Sequence, residues 1–283
     1  MGKSFIRRVR SWLGLTSYCC LPSCPAWGRR GKRLLHAGST PSGGGSVKRK
    51  RGKGKKPIRI RIGKIVFDLL LCFVALTIIP VLLYRFVNPP TTPLMWIRWV
   101  ENGTQLNLSR TLNSWMPIEK ISPNIMKAVI AAEDQKFFTH SGFDWLAIEY
   151  AIQTNISTDR KLGASTISMQ TARNVFLWQT RTWLRKLLES YFTVLIEFFW
   201  SKQRILEVYL NVIEWGDGIF GCEQAAQTYF QHSSKILSPV ESAWMAAVLP
   251  RPRYWTHRPT PAHVQARQIK ILDTLPHIRI NIE

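Results

Sequence analysis

Residues 182–212 read TWLRKLLESYFTVLIEFFWSKQRILEVYLNV, and this stretch decides the fold class. Thr182 to Trp200 form one long helical pattern, and Lys202 to Val212 form a second with Ile205, Leu206, Tyr209 and Leu210 on one face. Working outward, the same periodicity recurs. Ser122-Pro123 supplies an N-cap and an N1 proline ahead of the stripe Met126, Val129 and Ile130. Asp144 is placed to cap a helix from Trp145 to about Ile156, and Ser165 one from Thr166 to about Leu177. A short helix is expected over Glu223 to Phe230, and Ser238-Pro239-Val240-Glu241 is a capping box opening a helix to about Leu249. No alternating strand pattern competes, so the region 94–283 reads as a mainly α domain.

Upstream the composition changes twice. Ile65 to Tyr84, IVFDLLLCFVALTIIPVLLY, is an apolar run that would rise roughly 30 Å as a helix, the thickness of a bilayer core. A single transmembrane helix is expected over 65–87, with Asp68 four residues from Lys64 and able to pair with it. The run starts too late for a cleaved signal peptide, and Val87-Asn88-Pro89-Pro90 is no small-residue cleavage site. Before it, residues 1–61 are rich in Gly, Ser, Lys and Arg and are expected to form a disordered basic tail. Of the chain's 39 Lys and Arg, 18 precede residue 65 with no acidic residue among them, which leaves 21 basic against 17 acidic in the remainder. The excess is therefore a tail beside an apolar span. That excludes a soluble nucleic-acid-binding domain as the first reading, and the positive-inside rule places the N-terminus in the cytoplasm. Cys19, Cys20 and Cys24 precede the span, Cys72 is within it and Cys222 alone follows, so the outer domain is expected to hold no internal disulfide.

Three stretches carry candidate chemistry. In Glu133-Asp134-x-x-Phe137-x-x-His140-x-Gly142, Glu133 falls on the apolar stripe of its helix, where burial raises a carboxyl toward the range of a general base; the alternative is a helix-end acid paired with a core Arg. In Gly163-x-Ser165-Thr166-x-x-Met169-Gln170, hydroxyls and free N–H groups at a helix start suit an anion or sugar hydroxyl, as they also suit a plain cap. On the long helix Arg181, Arg185 and Glu189 lie at four-residue steps and Lys186 three from Glu189, with Leu184, Leu187, Leu188, Tyr191 and Leu195 opposite. Such a face is commonly a solvated salt-bridge lattice, but with Arg173 nearby four cations could hold one diphosphate.

In this order the stretches resemble the peptidoglycan glycosyltransferase family, shared by monofunctional biosynthetic transglycosylases of Gram-negative bacteria and the polymerase domains of bifunctional penicillin-binding proteins. The resemblance is to the monofunctional members and runs from about Trp96 to Trp255. It rests on Glu-Asp-x-x-Phe-x-x-His-x-Gly at Glu133, Gly-x-Ser-Thr-x-x-Gln-Gln at Gly163, Arg-Lys-x-x-Glu at Arg185, Lys-x-x-Ile-Leu-Glu-x-Tyr-Leu-Asn at Lys202, and a Leu-Pro-x-Pro ending at Leu249. Met169 departs from the pattern, standing where the family has the first of two glutamines, and restoring an amide there is expected to keep or raise activity. Arg204 stands at the second variable position of the fourth pattern.

The resemblance implies a lysozyme-like, mainly helical domain with a small membrane-facing lobe that polymerises lipid II onto a growing glycan chain. By similarity Glu133 would be the catalytic base, and Glu189 the second acidic residue near the donor diphosphate. Ser165, Thr166, Gln170, Arg173, Arg181, Arg185 and Lys186 would bind substrate. No cofactor is strictly implied, with a divalent metal (Mg or Mn) an option beside Glu189. Implied partners are the membrane, penicillin-binding proteins and division or elongation proteins, with no nucleic acid for the catalytic domain. The implied location is the bacterial inner (cytoplasmic) membrane, single-pass, with a periplasmic catalytic domain. The chemistry suits these residue types: a lipid diphosphate is already a good leaving group, so a base on the attacking hydroxyl and positive charge on the leaving group suffice. A glycan-cleaving enzyme of similar shape would need an acid at the leaving oxygen and no cation cluster. A membrane-anchored scaffold with a basic arm is the rival from another class, and without Ser-x-x-Lys or Lys-Thr-Gly no transpeptidase is expected.

Overall fold

The computed structural model describes residues 58–101, 114–158, 162–256 and 260–280, and residues 1–57 of the basic tail expected over 1–61 lie outside them. The first helix, α1 (Ile58–Phe86), begins inside the segment assigned to the tail, so residues 58–61 form its first turn. Its stretch Ile62–Phe86 is long and apolar enough to cross a membrane. Pro80 is carried within it, and no ion pair joins Lys64 and Asp68. Most of its large side chains, Ile65, Leu70 and Leu76 among them, are exposed, as expected of a helix whose solvent is lipid.

The remainder is mainly α. Helix α2 (Pro93–Glu101) follows the proline-rich exit, where no helix was expected; Leu94 and Met95 pack on Phe220, and Arg98 pairs with Glu214 at 2.9 Å. Helix α3 (Pro123–Glu133) starts at the expected cap, Ser122 accepting from the Asn124 N–H and donating to Leu237 O. Helix α4 (Trp145–Ser157) is capped by Asp144. Helix α5 (Ile167–Phe176) starts one residue later than expected: Thr166, not Ser165, is the N-cap, its hydroxyl accepting from the Met169 N–H and donating to Gly142 O at 2.6 Å. Helix α6 (Trp183–Phe199) is one residue shorter at each end than expected, Thr182 and Trp200 being its caps, and α7 (Lys202–Val212) keeps the expected bounds with Ser201 as its N-cap.

A hairpin missed by the sequence reading follows, β1 (Glu214–Gly216) against β2 (Ile219–Phe220), antiparallel with Glu214 opposite Phe220. Strands of three and two residues are too short to show alternation. Helices α8 (Cys222–Phe230), α9 (Pro239–Val248), α10 (Pro252–Trp255) and α11 (Ala262–Thr274) complete the order, α9 bearing the complete capping box. Helix α9 packs on α3 and α11, while α5 packs on α6 and α7. Cys222 is buried, free and pushed up to about 12 by that burial.

The side of α6 that is buried is not the purely apolar one. Arg185 and Glu189 are buried with Phe192, Thr193 and Ile196, whereas Leu184 and Leu187 are exposed and Trp183 is 91% exposed. Helix α1 covers part of the apolar side: Tyr191 stacks near Phe73 and hydrogen-bonds Thr77 Oγ1 at 2.9 Å, and Trp200 Nε1 donates to Val81 O at 2.7 Å.

Candidate active site

The first motif braces the second. Asp134 caps the end of α3, and its Oδ2 accepts from the Ile167 N–H at 3.0 Å, placing a negative charge at the free N–H groups of α5. His140 fixes that carboxylate: its Nδ1 accepts from the Gly142 N–H at 3.1 Å, which assigns the proton to Nε2, 2.9 Å and 3.0 Å from the two Asp134 oxygens. Gly142 has φ +91°, and a Cβ there would lie 2.9 Å from Thr193 Cγ2, so this position requires glycine. Behind it Glu197 accepts from Ser168 and pairs with Lys202 at 2.8 Å, while Lys202 lies over the Phe137 ring.

Glu133, the last residue of α3, ends up beside this brace. Its Oε2 accepts from Gln170 Nε2 at 2.9 Å and its Oε1 from an Arg267 terminal nitrogen at 2.9 Å. The Gln170 amide is oriented by Tyr209, whose hydroxyl donates to Gln170 Oε1 at 3.2 Å. Burial pushes the Glu133 carboxyl above its ordinary value, partly offset by the Gln170 hydrogen bond and the charges of Arg267 and Arg173. Burial likewise holds the Tyr209 hydroxyl well above the usual phenol value, with Glu133 adding to the effect. Glu133 therefore has an arginine partner and is a weakened acid.

A cleft of about 770 Å³ opens between α4, the 162–165 segment and α6. Ser165, Met169, Arg173, Arg181, Arg185, Lys186 and Glu189 all line it. A second cavity of about 400 Å³ shares Arg173, Arg181 and Arg185 with the first and adds Gln170 and Tyr209. Thr166 lines neither; it is buried as a cap, so its hydroxyl is consumed by the fold. Glu133 lines neither as well and meets the second cavity through Gln170.

Glu189 is almost fully buried, with Arg185 on Oε2 at 2.5 Å and Lys186 on Oε1 at 2.6 Å. This corrects the picture of a solvated salt-bridge lattice: the pair with Arg185 is interior, and Arg185 Nε is further tied to Thr180 O at 2.8 Å. A divalent metal does not fit this donor set. Both Glu189 oxygens are taken by cations, and among the described residues no three His, Cys, Asp or Glu side chains converge.

A family model described as transglycosylase matches residues 102–276. The chain belongs to the transglycosylase family. The match extends 21 residues past Trp255, where the motif resemblance stops, and so takes in α11 and Arg267. The chain is 52% identical over 193 residues to the biosynthetic peptidoglycan transglycosylase of Bdellovibrio bacteriovorus, covering 68% of this chain and 77% of that protein. To the proteins of the same name from Caulobacter vibrioides and Xanthomonas oryzae it is 50% and 47% identical, over 84% and 88% of their lengths. Within this transglycosylase, sequence reasoning missed Arg267, which no motif announces and which lies 134 residues from Glu133. It also took Tyr209 for an apolar stripe residue, which its ring is, without placing the hydroxyl on Gln170.

Proposed function

We propose that this transglycosylase polymerises lipid II into glycan strands, the acceptor 4-hydroxyl attacking the donor anomeric carbon with release of lipid diphosphate. The observation that carries the reading is a buried, weakened carboxylic acid, Glu133, joined through Gln170 to a cavity that shares three arginines with the large cleft. In this reading Glu133 takes the hydroxyl proton, the hydroxyl oxygen bonds to the anomeric carbon, and the bond to the diphosphate breaks with its electrons on the leaving group. Direct displacement inverts the anomeric centre. Arg173, Arg181, Arg185 and Lys186 meet the diphosphate charge, and Glu189 acts by holding Arg185 and Lys186 in place. A cation-lined cleft suits a diphosphate donor better than a glycan to be cleaved.

The anchoring helix is read as crossing the inner membrane once, N-terminus inside, with the catalytic domain in the periplasm; the basic excess before it supports this. Helices α1 and α6 meet with Phe73 at Tyr191 and Val81 at Trp200, so they run in the same direction. The N-terminal half of α6, with Trp183, Leu184 and Leu187 exposed, therefore points toward the bilayer, as a site for lipid-linked substrates requires. Penicillin-binding proteins and division or elongation proteins remain the proposed protein partners, on the family's standing alone. The test is direct: purified protein incubated with lipid II should yield long glycan that a muramidase digests. Absence of polymer with intact lipid II, or shortening of preformed glycan, would overturn it.

A further inference from the structure

Arg267 is brought to Glu133 from α11, a helix outside the motif-bearing part of the chain. One of its terminal nitrogens donates both to Glu133 Oε1 at 2.9 Å and to Ala132 O at 3.1 Å, so it grips the end of α3 as well as the carboxylate. Its Nε is buried with no hydrogen-bond partner among the described residues, so the guanidinium is not held by a saturated set of structural bonds. The two Glu133 oxygens are consequently unlike. Oε1 is hydrogen-bonded to the Arg267 guanidinium, whereas Oε2 is hydrogen-bonded to the Gln170 side-chain amide, itself one of the residues lining the second cavity.

We propose that Arg267 is a positioning residue for the catalytic base: it anchors Oε1, supplies the counter-charge to the buried carboxylate, and leaves Oε2 as the atom that accepts the acceptor hydroxyl's proton. The proposal rests on the reading of Glu133 as the base. Charged and titratable groups facing Glu133 come from every element around it: Arg267 on α11, Arg173 on α5, Tyr209 on α7 and Asp134 at the end of α3. Burial and Asp134 favour the protonated acid, while Arg267 and Arg173 favour the carboxylate. A base must be ionised before it can accept a proton, so removing Arg267 raises the pH at which Glu133 becomes competent.

The experiment is the pH dependence of kcat/KM for lipid II polymerisation by the full chain in detergent, for wild type, Arg267→Gln, Arg267→Lys and Glu133→Gln. Arg267→Gln is expected to move the acid limb up by about one pH unit, giving about tenfold lower kcat/KM on that limb and convergence with wild type at alkaline pH. Arg267→Lys, which keeps the charge, should hold the limb near its wild-type position. A loss of equal factor at every pH would make Arg267 merely structural, and an unmoved profile would make it irrelevant; either overturns the proposal. If Arg267→Gln does not fold, the lysine variant decides, because a limb displaced by a full unit with the charge retained is incompatible with the role. Glu133→Gln separates the two levels. Retained turnover there removes the base itself, whereas abolished turnover with an unmoved limb in Arg267→Gln removes only the role of Arg267.

Discussion

Glu133 and Glu189 are both buried carboxylates facing cations, yet their surroundings set them apart. Glu133 has one arginine and one neutral amide, and burial leaves it a weak acid; both Glu189 oxygens are paired with cations. On the proposed reading Glu133→Gln should therefore lower lipid II turnover by about 10² to 10⁴ while the protein stays folded, since general-base catalysis is what it removes. Glu189→Gln should differ by costing stability, about 3 kcal/mol, because Arg185 is left buried without its partner. Thermal melts of the two variants beside turnover distinguish them, and equal melting with equal loss would contradict this division. Met169 is nearly fully buried in the cleft wall, so an amide there has to find a partner at once. Met169→Gln is now expected to lower stability by about 1 kcal/mol while turnover stays within severalfold of wild type. Loss of more than about tenfold in turnover would place the thioether in a packing role. At this scale the sequence exposed Glu133, because a carboxylate on an apolar stripe is anomalous. It could not expose Arg267, whose relation to Glu133 exists only once α11 packs beside α9 and α3.

Among elements, the junction of α1 with α7 is decided by Arg204, which motif reading left as a variable position. Its Nε and one terminal nitrogen donate to Tyr84 O at 3.1 Å and 2.9 Å, and it reaches Val87 O and Asn88 Oδ1 at 2.9 Å each. Tyr84 O and Val87 O are backbone carbonyls at or just past the end of α1, so a planar five-donor group from α7 closes the C-terminus of that helix. Glu207 balances the charge at 3.0 Å. Arg204→Ala should cost about 2 kcal/mol, read as a lower melting temperature in detergent, and Arg204→Lys should recover less than half because a point charge lacks the fork. An alanine variant melting like wild type would show that packing alone docks α1. Helix bounds were legible because caps are local chemistry, as at Ser122, Asp144 and Ser238. The start of α5 was misread because Ser165 and Thr166 are both good caps, and the bond from Thr166 to Gly142 O, made across 24 residues, chooses between them.

For the whole molecule, part of the apolar stripe of α6 faces outward: Leu184 and Leu187 are exposed, while Leu188, Tyr191 and Leu195 are half-buried. Periodicity reports that an apolar stripe avoids water, not whether protein or lipid covers it. Trp183, Leu184 and Leu187 on α6 and Trp145, Leu146 and Tyr150 on α4 are exposed in a chain that also carries a helix long and apolar enough to cross a membrane, which supports lipid as the cover. In the proposed orientation, which rests on the basic excess, a reporter active only outside the cytoplasm should work when fused after Glu283 and be silent when fused before Met1. The depth of the domain follows from α6. Replacing Trp183 and Leu187 together by aspartate places two charges where lipid is expected, each costing about 2.5 to 3.5 kcal/mol at a bilayer's centre and less toward its surface. Turnover of lipid II by enzyme reconstituted in vesicles should then fall at least about tenfold. Melting in detergent should be unaffected, because both side chains are exposed and support no core. Equal turnover of the double variant and wild type in vesicles would mean that α6 stands clear of the bilayer, and that lipid-linked substrates reach the cleft by rising out of the membrane rather than by the enzyme descending into it.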